Sequence, residues 1–251
     1  MSSVDADVAA RAREWRNRMQ AAVCDTVAPW THGTIVRASR HPTYYDFNVV
    51  RVERDPALSV ERLIAFADEA LAGLEHRRLD FDCADVAEPL RAGFTAAGWR
   101  SSRLLWMHQE PGPGATSDAR VEEVPYDAVH PLRVSWHREE LAHDPTGYLR
   151  EAREVALRRG AQVLALHEGG VPVAFAQLER DGASAEITQV YVHPDHRGGG
   201  RGTALTRTAI AAAGDVRDLW IVADDEDRPK QLYARLGFRP AWTTMEFLRL
   251  P

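Results

Sequence analysis

Between residues 192 and 202 the chain reads Val-His-Pro-Asp-His-Arg-Gly-Gly-Gly-Arg-Gly. Before it, residues 185–192 (Ala-Glu-Ile-Thr-Gln-Val-Tyr-Val) have the composition of a strand. After it, residues 203–213, rich in Ala, Leu and Ile, have that of a helix. A junction of this kind constrains the fold, because the helix must return over the sheet that the strand belongs to. It also constrains the contents of the junction. Glycines permit positive φ and a close approach to backbone. The first N–H groups of a helix have no intrahelical partner and carry the positive end of its dipole, so an anion, most naturally a phosphate, is expected there.

The 251 residues and 45% hydrophobic content can bury one large or two small cores. A formal charge of −6 argues against a nucleic-acid or anionic-membrane surface. Cys24 and Cys83 are far apart and form neither a disulfide framework nor a zinc cage. Asp5, Asp7, Arg11, Arg13, Glu14, Arg16 and Arg18 interrupt the first twenty residues, so no apolar signal core is expected, nor is a membrane span elsewhere. A cytoplasmic location is the expectation.

Residues 110–118 (Glu-Pro-Gly-Pro-Gly-Ala-Thr-Ser-Asp) have linker chemistry and nearly bisect the chain. Domains are therefore expected over residues 1–110 and 119–251, joined by a linker at 111–118. In the second half, strands are expected at 121–124, 162–167, 171–179, 185–192, 219–223 and 243–250. Helices are expected at 129–141, 147–158, 203–213 and 229–236. Paired strands followed by a strand–helix–strand crossover predict a mixed α/β sheet with helices on its faces. The first half repeats part of this pattern at a constant offset (233 − 94 = 139). Phe94-Thr95-Ala96-Ala97-Gly98-Trp99 then falls on Tyr233-Ala234-Arg235-Leu236-Gly237-Phe238, Asp85 on Asp224 and Arg100 on Arg239. Under the same offset Ser59-Val60-Glu61-Arg62-Leu63 replaces the glycines and Phe94 replaces Tyr233, so the first copy lacks both the loop and the hydroxyl.

A nucleotide P-loop needs GxxxxGK[ST], and no lysine stands in this loop. A dinucleotide fingerprint needs GxGxxG, but Thr203 occupies its last place. Arg-x-x-Gly-x-Gly after Val-x-Pro does fit, through Val192, Pro194, Arg197, Gly200 and Gly202, and Tyr233-Ala234-Arg235-Leu236-Gly237-Phe238 follows about thirty residues later. In these motifs, and in the order of elements over residues 119–251, the chain resembles the GNAT superfamily of acyl-CoA-dependent N-acetyltransferases. The resemblance implies two GNAT-like domains, each a mixed, mostly antiparallel twisted sheet flanked by helices, with the first a degenerate, non-catalytic copy.

The same resemblance implies acetyl-CoA as co-substrate, one per chain and held in the second half. Amides of Arg197, Gly198, Gly199, Gly200, Arg201, Gly202 and Thr203 would cradle its pyrophosphate, and backbone groups of Val190, Tyr191 and Val192 would pair with its pantetheine arm. Tyr233 would protonate the leaving thiolate. Glu186 would serve as the base for the acceptor amine, or would only orient water or bind substrate charge. The acceptor side would be bounded by the first two helices, with Trp136 as a wall and Glu139 or Glu140 meeting an amine; a buried tryptophan beside a solvated face is the alternative reading. One departure is Glu226, where many relatives carry asparagine seven residues before the tyrosine. The run Asp224-Asp225-Glu226-Asp227 reads either as an attractor for a cationic acceptor or as solvated capping. His137, Glu140 and His143 have only loosely metal-like spacing, so no metal is expected. The activity expected is acetyl transfer to the primary amine of a small molecule. A peptide acceptor or a non-catalytic CoA-binding module are the alternatives, and the acceptor, acyl preference and oligomeric state are left open.

Overall fold

The computed structural model describes residues 3–111, 116–141 and 144–251. Residues 112–115 of the expected linker, His143 and the side chain of Glu140 lie outside the described residues. The chain forms two compact units. The first is Met1–Trp106 with Ala223–Asp227 and Ala241–Pro251, and the second is Met107–Val222 with Arg228–Pro240.

The first unit contains α1 (Ser3–Ala21), β1 (Thr26–Trp30), β2 (Gly33–Arg37), β3 (Val49–Val52), α2 (Val60–Ala70) and β4 (Arg77–Phe81). The short helices α3 (Ala84–Ala87) and α4 (Arg91–Ala96) and the strand β5 (Arg100–Gln109) follow, the last three residues of β5 belonging to the second unit. The second half holds β6 (Val121–Val124), α5 (His130–Leu141), α6 (Thr146–Arg158), β7 (Gln162–Glu168), β8 (Val171–Asp181) and β9 (Ser184–Val192). It ends with α7 (Arg201–Ala213), β10 (Asp218–Asp224), α8 (Pro229–Arg235) and β11 (Arg239–Arg249).

In the first unit β1, β2 and β3 pair antiparallel and β3 pairs parallel with β4. In the second, β6, β7, β8 and β9 form an antiparallel meander, and β9 pairs parallel with β10. Each sheet is therefore mixed and mostly antiparallel, with its parallel pair bridged by a helix, α2 in one and α7 in the other. The repeat extends to the helix ends. After α8, Gly237 takes φ 101°, and the N–H of Phe238 reaches back to the Tyr233 carbonyl at 3.1 Å. After α4, Gly98 takes φ 80°, and the N–H of Trp99 reaches the Phe94 carbonyl at 2.9 Å. Both are Schellman stops, in which a left-handed glycine lets the chain satisfy the helix's last carbonyls.

Sequence proximity does not decide which strand completes the first sheet. That place is taken by β11, from the end of the chain, whose Met245 to Arg249 pair antiparallel with Phe81 to Arg77. Met245 and Phe247 are fully buried among Val50, Leu63, Leu79, Phe81 and Phe94, and the Phe247 ring stacks on Phe94 with centroids 4.0 Å apart. On the polar side Glu246 meets Arg78 at 2.7 Å, beside Asp46 at 2.5 Å and Asp80 at 2.8 Å. Burial alone would weaken that arginine's hold on its proton, but three carboxylates raise its pKa well above the ordinary value. In the second unit, His108 near the end of β5 meets Asp218 at the start of β10 at 2.8 Å, beside the buried Trp220.

Buried His76 in the first unit has its Nε2 3.3 Å from the Asn48 carbonyl, and desolvation pushes its pKa down to about 4. A histidine depressed in the folded state takes up its proton earlier in the unfolded chain, so stability is present above about pH 6.5 and is lost as pH falls towards 4. Denaturant unfolding of wild type and His76→Gln across this window should show the variant with the shallower decline. The difference should be at most about 3 kcal/mol, from the 1.36 kcal/mol per pKa unit of linkage.

Candidate active site

The site grows out of an irregularity in β9. Opposite β8, Phe175 faces Tyr191 and Gln177 faces Thr188, so β9 carries one extra residue between these pairs. Gln189 in the bulge adopts φ 52°, a left-handed conformation uncommon for a residue with a side chain. Beneath it lies Arg133 of α5, 1% exposed, which donates to Gln189 and, at 3.0 Å, to Oε1 of Gln177. Its guanidinium packs against the rings of Tyr126 (3.9 Å) and Phe175 (4.7 Å). Gln177 passes the chain on to Glu179, which Arg159 neutralises at 2.9 Å. The buried arginine that reaches the bulge is therefore held by packing against two aromatic rings.

The bulge coincides with the parting of β9 from β10. Their parallel ladder runs from Ser184–Asp218 to Ile187–Ile221 and stops, while β9 continues to Val192. Near the end of β9, the His193 N–H donates to the Val173 carbonyl at 3.0 Å and Val192 stands opposite Ala174. Alternate residues of an antiparallel ladder turn both backbone groups to the same side, so Val192 directs its N–H and C=O away from β8, to the open edge. Tyr191, paired with Phe175, spends its backbone on β8, while its buried hydroxyl lies 3.0 Å from Ser135 Oγ and donates to Glu139 at 3.2 Å. Burial is the main cause that raises the pKa of this phenol.

Beyond the open edge lies the glycine loop. Gly198, Gly199 and Gly200 have φ of 86°, 58° and 78°, and Gly200 is the N-cap of α7, which begins at Arg201. A Cβ on Gly199 would come within 2.7 Å of the Arg201 guanidinium, whereas Gly198 and Gly200 face open space. The amides of the loop and first helical turn thus stand bare of side chains at the positive end of a thirteen-residue helix, where an anion such as a phosphate is favoured. Glu168, the last residue of β7, holds the loop from the side. It accepts from Arg201 at 2.7 Å and lies 3.2 Å from His196 Nδ1, and the arginine holds its carboxyl below the usual range.

At Gly202 three elements converge. A Cβ there would lie 3.5 Å from Leu232 of α8 and 3.9 Å from Val192 of β9, so the helix bearing Tyr233 packs beside the loop and the strand end. Tyr233 is 6% exposed, with its ring against Phe238. Glu186, half-buried on β9, stands directly across from Glu179 and in register with Trp220. Thr203 lies half-buried in the first turn of α7, and Val190 is half-buried in the bulge. On α5, Trp136 packs partly buried against the core around Phe175, while Glu139 meets Arg197 as well as Tyr191. His137 is buried against Tyr148. Among the described residues no group of three His, Cys, Asp or Glu side chains is arranged to hold a metal ion, and no helix is long and apolar enough to cross a membrane. The acidic run is engaged within the first unit, where Asp225 meets Arg103 at 3.2 Å and Glu226 meets Arg91 at 2.8 Å. Arg133, Gln189, Ser135 and Glu168 escaped the sequence reading. Of these, only Glu168 carried a local signal, as the last residue before the Gly169-Gly170 turn.

Comparison with known proteins agrees with this geometry. Residues 159–240 match the family described as an acetyltransferase (GNAT) domain. Mycothiol acetyltransferase from Streptomyces avermitilis is 41% identical over 64 residues, which cover 25% of this chain and 21% of that protein, so the match spans about a fifth of the relative's length. Two solved structures share the fold over nearly the whole chain. A functionally unknown conserved protein from Staphylococcus epidermidis superposes with a TM-score of 0.68 at 15% identity, covering 90% of this chain and 94% of that one. A GCN5-related N-acetyltransferase from Kribbella flavida gives a TM-score of 0.61 at 16% identity, covering 95% and 94%.

Alanine at Gly200 would be forced into the left-handed region at φ 78°. Gly200→Ala should therefore lower the unfolding free energy by about 1 kcal/mol in a denaturant titration, while alanine at Gly202, whose φ is ordinary and whose Cβ fits, should not. Residues 159–240 thus match the acetyltransferase (GNAT) domain family, and the described residues share their fold with a GCN5-related N-acetyltransferase.

Proposed function

We propose that this protein is an acetyl-CoA-dependent N-acetyltransferase that acetylates the primary amine of a small molecule by direct attack. Catalysis is assigned to residues 119–251, with residues 1–110 a degenerate copy. The carrying observation is the convergence at Gly202, where the bare glycine loop, the free edge of β9 and the helix of Tyr233 meet.

With the pyrophosphate on the loop amides, the pantetheine arm would extend along the free edge of β9 as an added strand, with Val192 offering its N–H and C=O. The thioester is then held beside the bulge, where backbone released from the ladder can polarise its carbonyl. The acceptor must arrive as a free amine, since an ammonium has no lone pair. Its nitrogen attacks the carbonyl carbon, the C–S bond breaks, and the amine's proton leaves to Glu186, directly or through water. The departing sulfur takes a proton from the Tyr233 hydroxyl. Attack is direct, with no acyl-enzyme, and both cysteines, Cys24 and Cys83, lie in the first unit, outside the loop, strand and helix that build the site. The 64-residue similarity to a protein named mycothiol acetyltransferase supports acetyl transfer.

Thiol release from acetyl-CoA across a panel of small amines and amino-terminal peptides tests this reading. Amine-dependent turnover should appear, and Tyr233→Phe should lower kcat by about 100-fold while leaving CoA affinity within about twofold, the range expected for losing one general acid. CoA binding without turnover on any acceptor would overturn the catalytic assignment, and turnover confined to peptides would overturn the acceptor class.

A further inference from the structure

Arg197, though half exposed, is engaged by two acceptors. It donates through Nε to the Val192 carbonyl at 3.2 Å and through its terminal nitrogen to Glu139 of α5. The Val192 carbonyl is one of the two groups that β9 turns to its free edge, so the guanidinium occupies the place where an added strand would pair. Glu139 is held in turn, its other oxygen accepting from the Tyr191 hydroxyl, which Ser135 also meets. A continuous chain of contacts thus runs from the acceptor-side helix, across the free edge of β9, to the first residue of the anion loop.

We propose that Glu139 is a positioning residue whose ion pair with Arg197 forms a clasp over the free edge of β9, which CoA must open in order to bind. The proposal rests on the CoA reading above. Both partners are accessible, with 54% of the Arg197 side chain and 35% of that of Glu139 exposed, so the clasp opens without disturbing the core. Opening does two things. Arg197 leaves the Val192 carbonyl and gains a phosphate as its new anionic partner, and Glu139 loses its strongest cationic neighbour. The carboxylate on the acceptor side is therefore released from its cation only after CoA is in place.

The probe is CoA alone, titrated calorimetrically into wild type and Glu139→Gln, a variant that keeps the side chain's size and its bond to Tyr191. If the clasp opposes binding, the variant should bind CoA about two- to fivefold more tightly, which corresponds to the ~0.4–1 kcal/mol of an exposed ion pair. The gap should also close as salt is raised from about 0.05 M to 0.5 M, because salt screens the pair in wild type. A merely structural role for Glu139 predicts the opposite sign, weaker binding in the variant. CoA affinity equal to or weaker than wild type at low salt overturns the clasp and leaves the CoA reading standing. No CoA binding by either protein overturns both.

Discussion

The second unit depends on one event in one strand. After Ile187, β9 stops pairing with β10, and an extra residue bulges it away from β8. An unpaired strand edge inside a sheet is costly unless something uses it, because its N–H and C=O groups lose their partners. Here the edge opens onto the glycine loop, and the Arg197 guanidinium covers the carbonyl nearest the loop. The left-handed Gln189 that makes the bulge is in turn held by a buried arginine packed against two rings. The strain of the bulge and the burial of a charge are thus set against each other at one point, and the site lies where they meet.

The two units share a frame and differ at the positions that build the site. Both units have a parallel strand pair bridged by a helix, and both end their last short helix with the same left-handed glycine and back-reaching amide. At the 139-residue offset the first unit carries Val60 to Leu63 where the second carries glycines, and a phenylalanine packed on Phe247 where the second has Tyr233. An ionic cluster around Arg78 is buried in the first unit, which is held by packing and charge.

Much of the element order was legible from the chain. The strand at 121–124 coincides with β6 and the helix at 203–213 differs from α7 by two residues at its start, because Gly200, already left-handed, caps the helix before its apolar pattern begins. The strand expected at 243–250 begins four residues earlier, at Arg239, since pairing partners rather than hydropathy set its start. Trp136 and Glu139 fell on the same helix as expected, but local pattern holds no information on what a carboxylate meets across 58 residues of sequence. Arg133 was invisible for the same reason. A single arginine in an amphipathic helix reads as solvated, and only the rings of Tyr126 and Phe175 make it a core residue.

What the sequence determined by itself is local. A glycine run between a strand and a helix has few conformations open to it, and each places bare amides at a helix N-terminus whatever surrounds them. The motif spacing, the helix stops and the 139-residue repeat are of that kind. What the tertiary structure decided is non-local: that β11 and not a neighbouring strand closes the first sheet, that β9 parts from β10 beside the loop, and that Arg197 rests on Glu139 and Val192. These depend on which strand edges and which charges meet after the chain has folded, and hydrophobic periodicity is the same for every partner a strand edge could take.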